Sequence, residues 1–582
     1  MKRYVWGILI GFFIFFSMSP TVYELAQKEK IQGRTFELVH NYITDYNFYL
    51  SRIREGMEGR WTVVERYTSE PHRGSLVQIF YLLLGKPVQF FSDRVWGATY
   101  AYHGARIIFG AIVLFLLSLV VRRVFRSFLW QVLAFLMVVT ASTVPIVVPM
   151  GETIRFGGYM SWWTVMDSLQ RITFLPHLLL GQAGILLLLC VPFEQIFLKF
   201  ISAFILGMVF PPGALFVAVV LTSMSIVEVL FAPHHFLKSG KDRILWFQTN
   251  LFPRIAVVIG CIPALFYYSL IMTQSPWRRL VEFDALNPTV FPLLEYGYAM
   301  GPVLLFGTLG GVLSLFKKEK NMLIFVSWVI TWAIFLLVFR FVPQQSSLRF
   351  TEMIPNVPLG ILTTYLFYQC GLFSRRLFAK NMKYPSFAKA SADGQVSSIK
   401  YQVWKIGKTL SYIILYTLCF IPIAVGFLVM VSSFLWQKDF IDQKVRAGWP
   451  AISMNNYIVY PMAGFIDALN YIESHTEKEA VILSDLTAGN YIPAYAGRTV
   501  YVGHDNTLDK EIKVDLAHQF FLGEMTPSDA EVWLMQNRIT HVFFGPQEKE
   551  SKKDIASLYP FLREVYRNTD VTLYSVFPAT PN

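Results

Sequence analysis

Long apolar runs recur along the chain, separated by short polar breaks whose lysines and arginines mark alternate sides of a membrane. The first run extends from Tyr4 to about Phe16, behind Lys2 and Arg3. It has the outline of a signal peptide, but Ser17-Met18-Ser19-Pro20 matches a small-x-small cleavage site poorly. A retained span with a cytoplasmic N-terminus is therefore expected. Residues 20–96 follow as a long outer loop. Within it Gly74 to Phe91 is apolar but interrupted by Gln78, Gly85, Lys86 and Pro87, which predicts a helix lying on the outer leaflet.

The pattern predicts further spans at 100–121, 129–148, 178–191, 255–272, 293–316, 322–341, 359–373 and 410–434. The apolar block 200–231 is broken by Phe210-Pro211-Pro212-Gly213 and has basic residues on both flanks, Lys199 before it and Lys238, Lys241 and Arg243 after it. Flanks on one side require an even number of crossings, so a hairpin of two short helices is expected, each of about 15 residues. Small polar residues in 377–408, such as Ser391 and Gly394, predict a cytoplasmic linker. The sum is about eleven crossings in residues 1–436.

Beyond Trp436 the pattern becomes that of a water-soluble unit. β-rich runs at 480–484, 499–502, 541–544 and 571–575 alternate with helical periodicity at 464–474, 510–522 and 528–537. This alternation predicts an extracytoplasmic α/β domain over 437–582 with a largely parallel sheet. The expected fold class is thus an α-helical polytopic membrane protein carrying a C-terminal α/β domain.

Composition agrees with a multi-pass membrane protein: 54% of the 582 residues are hydrophobic and 15% charged, against about 25% charged in soluble domains. The net charge of +12 sits largely in clusters beside apolar runs, where it sets topology and meets membrane lipids. It gives no reason to expect nucleic acid. The four cysteines, Cys190, Cys261, Cys370 and Cys419, lie in apolar segments without C-x-x-C spacing, and predict neither a zinc site nor a disulfide framework.

The first outer loop carries the stretch with the most chemistry, Thr44-Asp45-Tyr46-Asn47-Phe48-Tyr49-Leu50-Ser51-Arg52, continuing to Arg54, with Gly56 and Gly59 ending the run. In a helix, Asp45, Tyr49 and Arg52 share a face. A carboxylate held there could abstract a proton from an acceptor hydroxyl, or it could merely cap the helix. Other costly polar residues gather on the same side: His103 and Arg106 in the second span, Arg340, and Gln344, Gln345 and Arg349 in a later loop. They fit a shared anionic ligand, since an arginine fork pairs with phosphate, or separate snorkelling to headgroups.

The second outer loop adds Glu152, Arg155, Asp167 and Arg171, with Pro176-His177 opening the next span. Either carboxylate could join Asp45, and either could simply face water. Trp162-Trp163 reads first as an interfacial anchor. Glu228 is expected to pair with Arg254. In the C-terminal unit, Gly503-His504-Asp505 follows a strand, a place where α/β sheets bind ligands, but no nucleotide-binding glycine motif accompanies it.

Together these features resemble the GT-C superfamily of integral-membrane glycosyltransferases, and in particular uncharacterised bacterial members. The resemblance is carried by the acidic stretch from Asp45 to Gly56, by Leu76 to Phe91, by Tyr102-His103-Gly104-Ala105-Arg106, and by Pro176-His177. Gln344-Gln345-Ser346-Ser347-Leu348-Arg349 continues it, with Gly489-Asn490-Tyr491-Ile492-Pro493 and Tyr501-Val502-Gly503-His504 at the end. It implies inverting transfer of a sugar from a polyprenyl-phosphate carrier to a lipid, glycan or protein acceptor on the outer face. Asp45 is then the catalytic base. Tyr49, His103, Arg106, Glu152, His177, Gln345 and Arg349 are the substrate-binding candidates, with Arg349, aided by Arg106, on the carrier phosphate. Many members have adjacent acidic residues, whereas Asp45 is flanked by Thr44 and Tyr46, so a divalent metal stays an open requirement and no other cofactor is implied. A lipid or polysaccharide transporter and a non-catalytic scaffold are the competing classes.

Overall fold

The computed structural model describes residues 2–91, 95–191, 195–231, 244, 246–382, 394–447, 451–452, 457–458, 460–551 and 554–576. Among these, six helices are long and apolar enough to cross a membrane: Tyr4–Lys30, Val95–Val124, Pro211–Glu228, Phe247–Ile271, Lys320–Phe341 and Tyr416–Arg446. A seventh is reached if the pair Leu293–Met300 and Pro302–Phe316, bent by 94° at Gly301, counts as one span. The fold is mostly helical, as a multi-pass membrane protein requires.

Several predicted spans take another form. The run expected over 129–148 is helical only in Phe128–Val139. Twelve residues rise about 18 Å, short of a hydrocarbon core of about 30 Å. Beyond them Pro145–Met150 (β1) pairs antiparallel with Thr153–Gly158 (β2) as a hairpin. The block 200–231 does form two helices broken at Phe210, but unequal ones, Ile196–Val209 and the span-length Pro211–Phe231. The expected pair Arg254–Glu228 joins the second of these to the next helix, with both fork nitrogens on the carboxylate at 2.8 and 3.0 Å. Of the linker expected over 377–408, residues 377–382 end the helix Asn356–Met382 and 394–408 begin Gly394–Arg446. Residues 383–393 lie outside the described residues.

Four helices build the region around the first long loop: Lys2–Ala26 (α1), Ile43–Met57 (α2), Ile79–Val88 (α3) and Val95–Val124 (α4). Gly56 does not end α2, which continues to Met57; Glu58 follows as C-cap and Gly59 turns away with φ +90°. The role of Gly56 is closeness. A Cβ on it would stand 1.9 Å from the carbonyl oxygen of Leu82, and one on Gly85 would stand 1.9 Å from that of Ile53. α2 and α3 therefore touch backbone to backbone, which only glycine permits.

After a short antiparallel pair, Ala451–Ile452 (β3) and Tyr457–Ile458 (β4), the C-terminal region forms a five-stranded sheet from Val481–Leu483 (β5), Thr499–Val500 (β6), Ile539–Phe544 (β7), Leu562–Arg567 (β8) and Thr572–Val576 (β9), ordered β6-β5-β7-β9-β8. The β5–β6 and β5–β7 pairs are parallel, but β7–β9 and β8–β9 are antiparallel. The largely parallel sheet expected is thus a mixed one. β8 and β9 follow each other through a tight turn that cannot hold a crossover helix.

This region is built onto the first long loop. The helix Leu486–Tyr495 lies against α2, and the side chain of Asn47 donates to Asn490 at 2.8 Å. Tyr67 donates to the Asn490 carbonyl, and the amide of Val500 donates to that of Arg66. One apolar core runs from α1 and α2 through Phe465, Leu469 and Tyr491, with a second beneath the outer side of the sheet around Phe520, Leu534 and Tyr559.

Candidate active site

Asp45 lies in the first turn of α2, where the free amides and positive end of the helix favour a carboxylate. It does not fill the cap position, which belongs to Tyr42. Its side chain is 46% exposed. The following turn of α2 places Tyr49 below it, and the Tyr49 ring stacks on Tyr81 of α3 at 4.4 Å between centroids. Tyr81 Oη and His177 Nδ1 share a hydrogen bond of 2.7 Å, and the His177 ring lies 5.6 Å from that of Tyr49. Pro176, at the first position of the helix Pro176–Cys190, fixes where that histidine enters.

Arg349 comes from the short helix Ser347–Met353, whose start is capped by the Ser346 hydroxyl accepting from the Leu348 amide. Its guanidinium meets Asp284 of the helix Arg279–Leu286 through two bonds of 3.1 Å, yet the side chain remains 41% exposed. The charges of Asp45 and Arg349, distant in sequence, both act on the Tyr49 hydroxyl, which burial raises well above the usual tyrosine range. Both also act on His177. Nearby, burial pushes the Glu352 carboxyl up to about 7 against the pull of Arg349. In the same loop Gln345 has a buried Nε2 that finds no partner among the described residues.

The remaining candidates are placed differently. Arg106 is buried and donates to the Thr173 carbonyl at 2.7 Å and toward His103 Nδ1 at 2.8 Å. His103 Nε2 lies 3.1 Å from the Leu38 carbonyl, and its ring backs Tyr46 at 6.0 Å. These two groups stand behind the aromatic wall. Glu152 is exposed in the turn between β1 and β2. Asp167 is buried and consumed by local bonds, accepting from the Leu169 and Gln170 amides at 2.9 Å and from Ser433 at 2.6 Å. Arg171 ties off the Val139 and Ala141 carbonyls after Phe128–Val139. Arg52, on the Asp45 face by spacing, is fully buried between Glu55 and Glu65.

Two contributors were not singled out from sequence, and a third was named there only within a loop motif. Tyr81 carried no signal beyond being one aromatic among many. Asp284 had only its charge in an outer loop. His504 did carry one, as the polar residue just past a strand end; the structure brings its Nε2 to 3.6 Å from Asp45 Oδ1.

A hard divalent cation takes about six oxygen ligands. Asp45 offers one carboxylate, and among the described residues no group of three or more His, Cys, Asp or Glu side chains could hold a metal ion.

No family model and no curated protein matches the chain. Among solved structures it is similar to ArnT from Cupriavidus metallidurans bound to undecaprenyl phosphate, at 13% identity over 98% of this chain and 99% of that one, with a TM-score of 0.45. The archaeal oligosaccharyltransferase AglB from Archaeoglobus fulgidus, in complex with an inhibitory peptide and a dolichol-phosphate, is similar at 14% identity over 94% of this chain and 71% of that one, with a TM-score of 0.46. The Archaeoglobus fulgidus oligosaccharyltransferase complex with Zn and sulfate is similar at 12% identity over 96% and 73%, with a TM-score of 0.44.

Proposed function

We propose that the chain transfers a sugar from a polyprenyl-phosphate carrier to an acceptor hydroxyl on the outer face of the plasma membrane. The observation that carries this reading is the convergence of a half-exposed carboxylate and a half-exposed arginine on one aromatic patch. Tyr49 of the Asp45 helix stacks on Tyr81, which bonds to His177, and the helix that carries His177 packs on the one that carries Arg349, Gln182 donating to the Glu352 carbonyl at 3.4 Å. A base and a phosphate ligand beside one aromatic patch are what in-line displacement at an anomeric carbon needs.

In this reaction Asp45 takes the proton of the acceptor hydroxyl. The acceptor oxygen forms a bond to the anomeric carbon, and the bond from that carbon to the phosphate oxygen breaks. Its electron pair leaves with the carrier phosphate, and the configuration inverts. Arg349 holds the phosphate and offsets the charge that grows on it. Tyr49 and His177 supply the aromatic patch and Gln345 a buried amide in the Arg349 loop, while His103 and Arg106 brace the wall behind Tyr46. The isoprenoid tail would run along the neighbouring apolar helices.

The test is to incubate the purified chain with a panel of undecaprenyl-phosphate sugars and follow release of undecaprenyl phosphate. Native protein is expected to release it from at least one donor. Asp45→Asn should lower release by about 10²- to 10⁴-fold, with donor binding retained. Full activity of that variant excludes Asp45 as the base. A transporter predicts charges spread to mid-membrane rather than gathered at one end, and it predicts movement of the intact donor without carrier release.

A further inference from the structure

Asp45 has one neighbour that belongs to neither the carrier site nor the aromatic floor. His504 reaches it from the C-terminal sheet, on the loop after β6. That loop can lie so deep because Gly503 and Gly489 meet backbone to backbone; a Cβ on Gly489 would stand 2.0 Å from the Val502 carbonyl oxygen. The histidine is buried. Its ring stacks on Phe48 of α2 at 4.6 Å and 13° and lies 5.3 Å from Tyr67. The Asn506 amide donates to Nδ1 at 3.1 Å. With Nδ1 occupied as an acceptor, the neutral ring carries its proton on Nε2. That N–H is buried, bonds to nothing among the described residues, and stands 3.6 Å from Asp45 Oδ1.

We propose that His504 is a positioning residue for Asp45: its Nε2–H holds one carboxylate oxygen, so the other is turned to the acceptor hydroxyl. The inference rests on the reading of Asp45 as the base. At 3.6 Å the contact is long for a hydrogen bond, and a bond of this kind tightens when substrate closes the site. The proton stays on His504 throughout, and the proton taken from the acceptor goes to the other oxygen of Asp45. The C-terminal region thereby supplies part of the site and is more than a cover over it.

Two substitutions separate this role from a purely structural one. His504→Gln puts an amide N–H where Nε2 stood and gives up the acceptor for Asn506. His504→Asn keeps an acceptor where Nδ1 stood and gives up the donor to Asp45. Both are measured beside Asp45→Asn by undecaprenyl phosphate release from the donor panel, with kcat and KM separated. Positioning predicts that His504→Asn loses about 10- to 100-fold in kcat at nearly unchanged donor KM, and that His504→Gln recovers most of it. Native kcat in His504→Asn, or a larger loss in His504→Gln, overturns the proposal. The base reading fails separately, if Asp45→Asn keeps full activity or the native chain releases carrier from no donor, and the proposal then falls with it.

Discussion

At the C-terminal end of α2, every charge is accounted for. Arg52 lies between Glu55 and Glu65 at 3.1 and 2.5 Å, stacks on Phe48 at 4.3 Å, and donates to the Val64 carbonyl. Arg54 binds Glu58, Glu473 and the Tyr495 carbonyl, and Glu58 is shared with Arg66. At the N-terminal end of the same helix, Asp45 is half exposed with only a long contact to His504. Sequence spacing treats Asp45 and Arg52 as equals on one face. The structure separates them by saturation: a buried charge with all its partners in place is committed to the fold, whereas one held short of a partner has capacity left for a substrate.

Substitutions at the two ends should therefore fail differently. Asp45→Asn removes turnover while leaving thermal unfolding in detergent close to native. Arg52→Ala leaves Glu55 and Glu65 buried without their cation, and should cost about 3–5 kcal/mol of stability, as breaking buried pairs does. Its signature is a lowered unfolding temperature, with any surviving folded protein still binding carrier. If instead Asp45→Asn unfolds the chain and Arg52→Ala only slows it, the contrast between the two ends is wrong.

Glu37 is an intermediate case, a buried carboxyl with one donor, Tyr495 at 2.7 Å, across the junction between the first loop and the C-terminal region. Burial pushes it up to about 8 from an ordinary 4.5. The folded state therefore holds a proton that the unfolded state has released over this range. Its contribution is full below about pH 4.5 and is lost as pH rises through about 8. Glu37→Gln mimics the protonated form. It should match native stability at pH 5 and exceed it by about 1–3 kcal/mol at pH 9, read from unfolding temperatures at the two values. A uniform loss at both would mean that the carboxylate form is the one the junction requires.

Much of this was legible in the residues, and the reasons for the rest are physical. The apolar runs exposed the long helices, and the break at Phe210-Pro211-Pro212-Gly213 showed where one block divides. Asp45 and Tyr49 were singled out by helix-face spacing and His177 by its Pro176-His177 motif, while Arg106 and Arg349 were singled out because polar groups beside apolar runs are costly and need a purpose. That argument cannot tell an arginine facing a site from one facing carbonyls. Arg106 and Arg349 look alike in sequence, and only the fold shows Arg106 spent on Thr173 and His103. Nor can spacing reveal a partner from a remote segment. His504 and Asp284 meet their partners only because the C-terminal loop packs on α2 and the helix Arg279–Leu286 lies over the later loop. Arg279 of that helix in turn holds the Asp505 carbonyl at 3.2 Å and Glu511 at 2.7 Å, tying the His504 loop to the Arg349 side.

The Arg349–Asp284 pair sharpens the comparison with the smallest expected effect. It is bidentate like a structural pair, but its arginine is 41% exposed, unlike the buried Arg52. If the bond commits Arg349 to the fold, Asp284→Asn should release a poorly held arginine and weaken carrier binding. If Asp284 is a counterion that carrier phosphate replaces, the same change removes a competitor. An exposed pair contributes about 0–1 kcal/mol, so losing it costs the fold little, while a freed guanidinium gains attraction for phosphate. Asp284→Asn is therefore expected to tighten undecaprenyl phosphate binding about 3- to 5-fold at low salt, where about 1 kcal/mol corresponds to that factor. The gain should shrink as added salt screens the exposed charge. Direct binding measurements on native and variant protein at two ionic strengths read the sign. Weaker binding in the variant would move Arg349 into the company of Arg52, as a residue whose charge serves the fold.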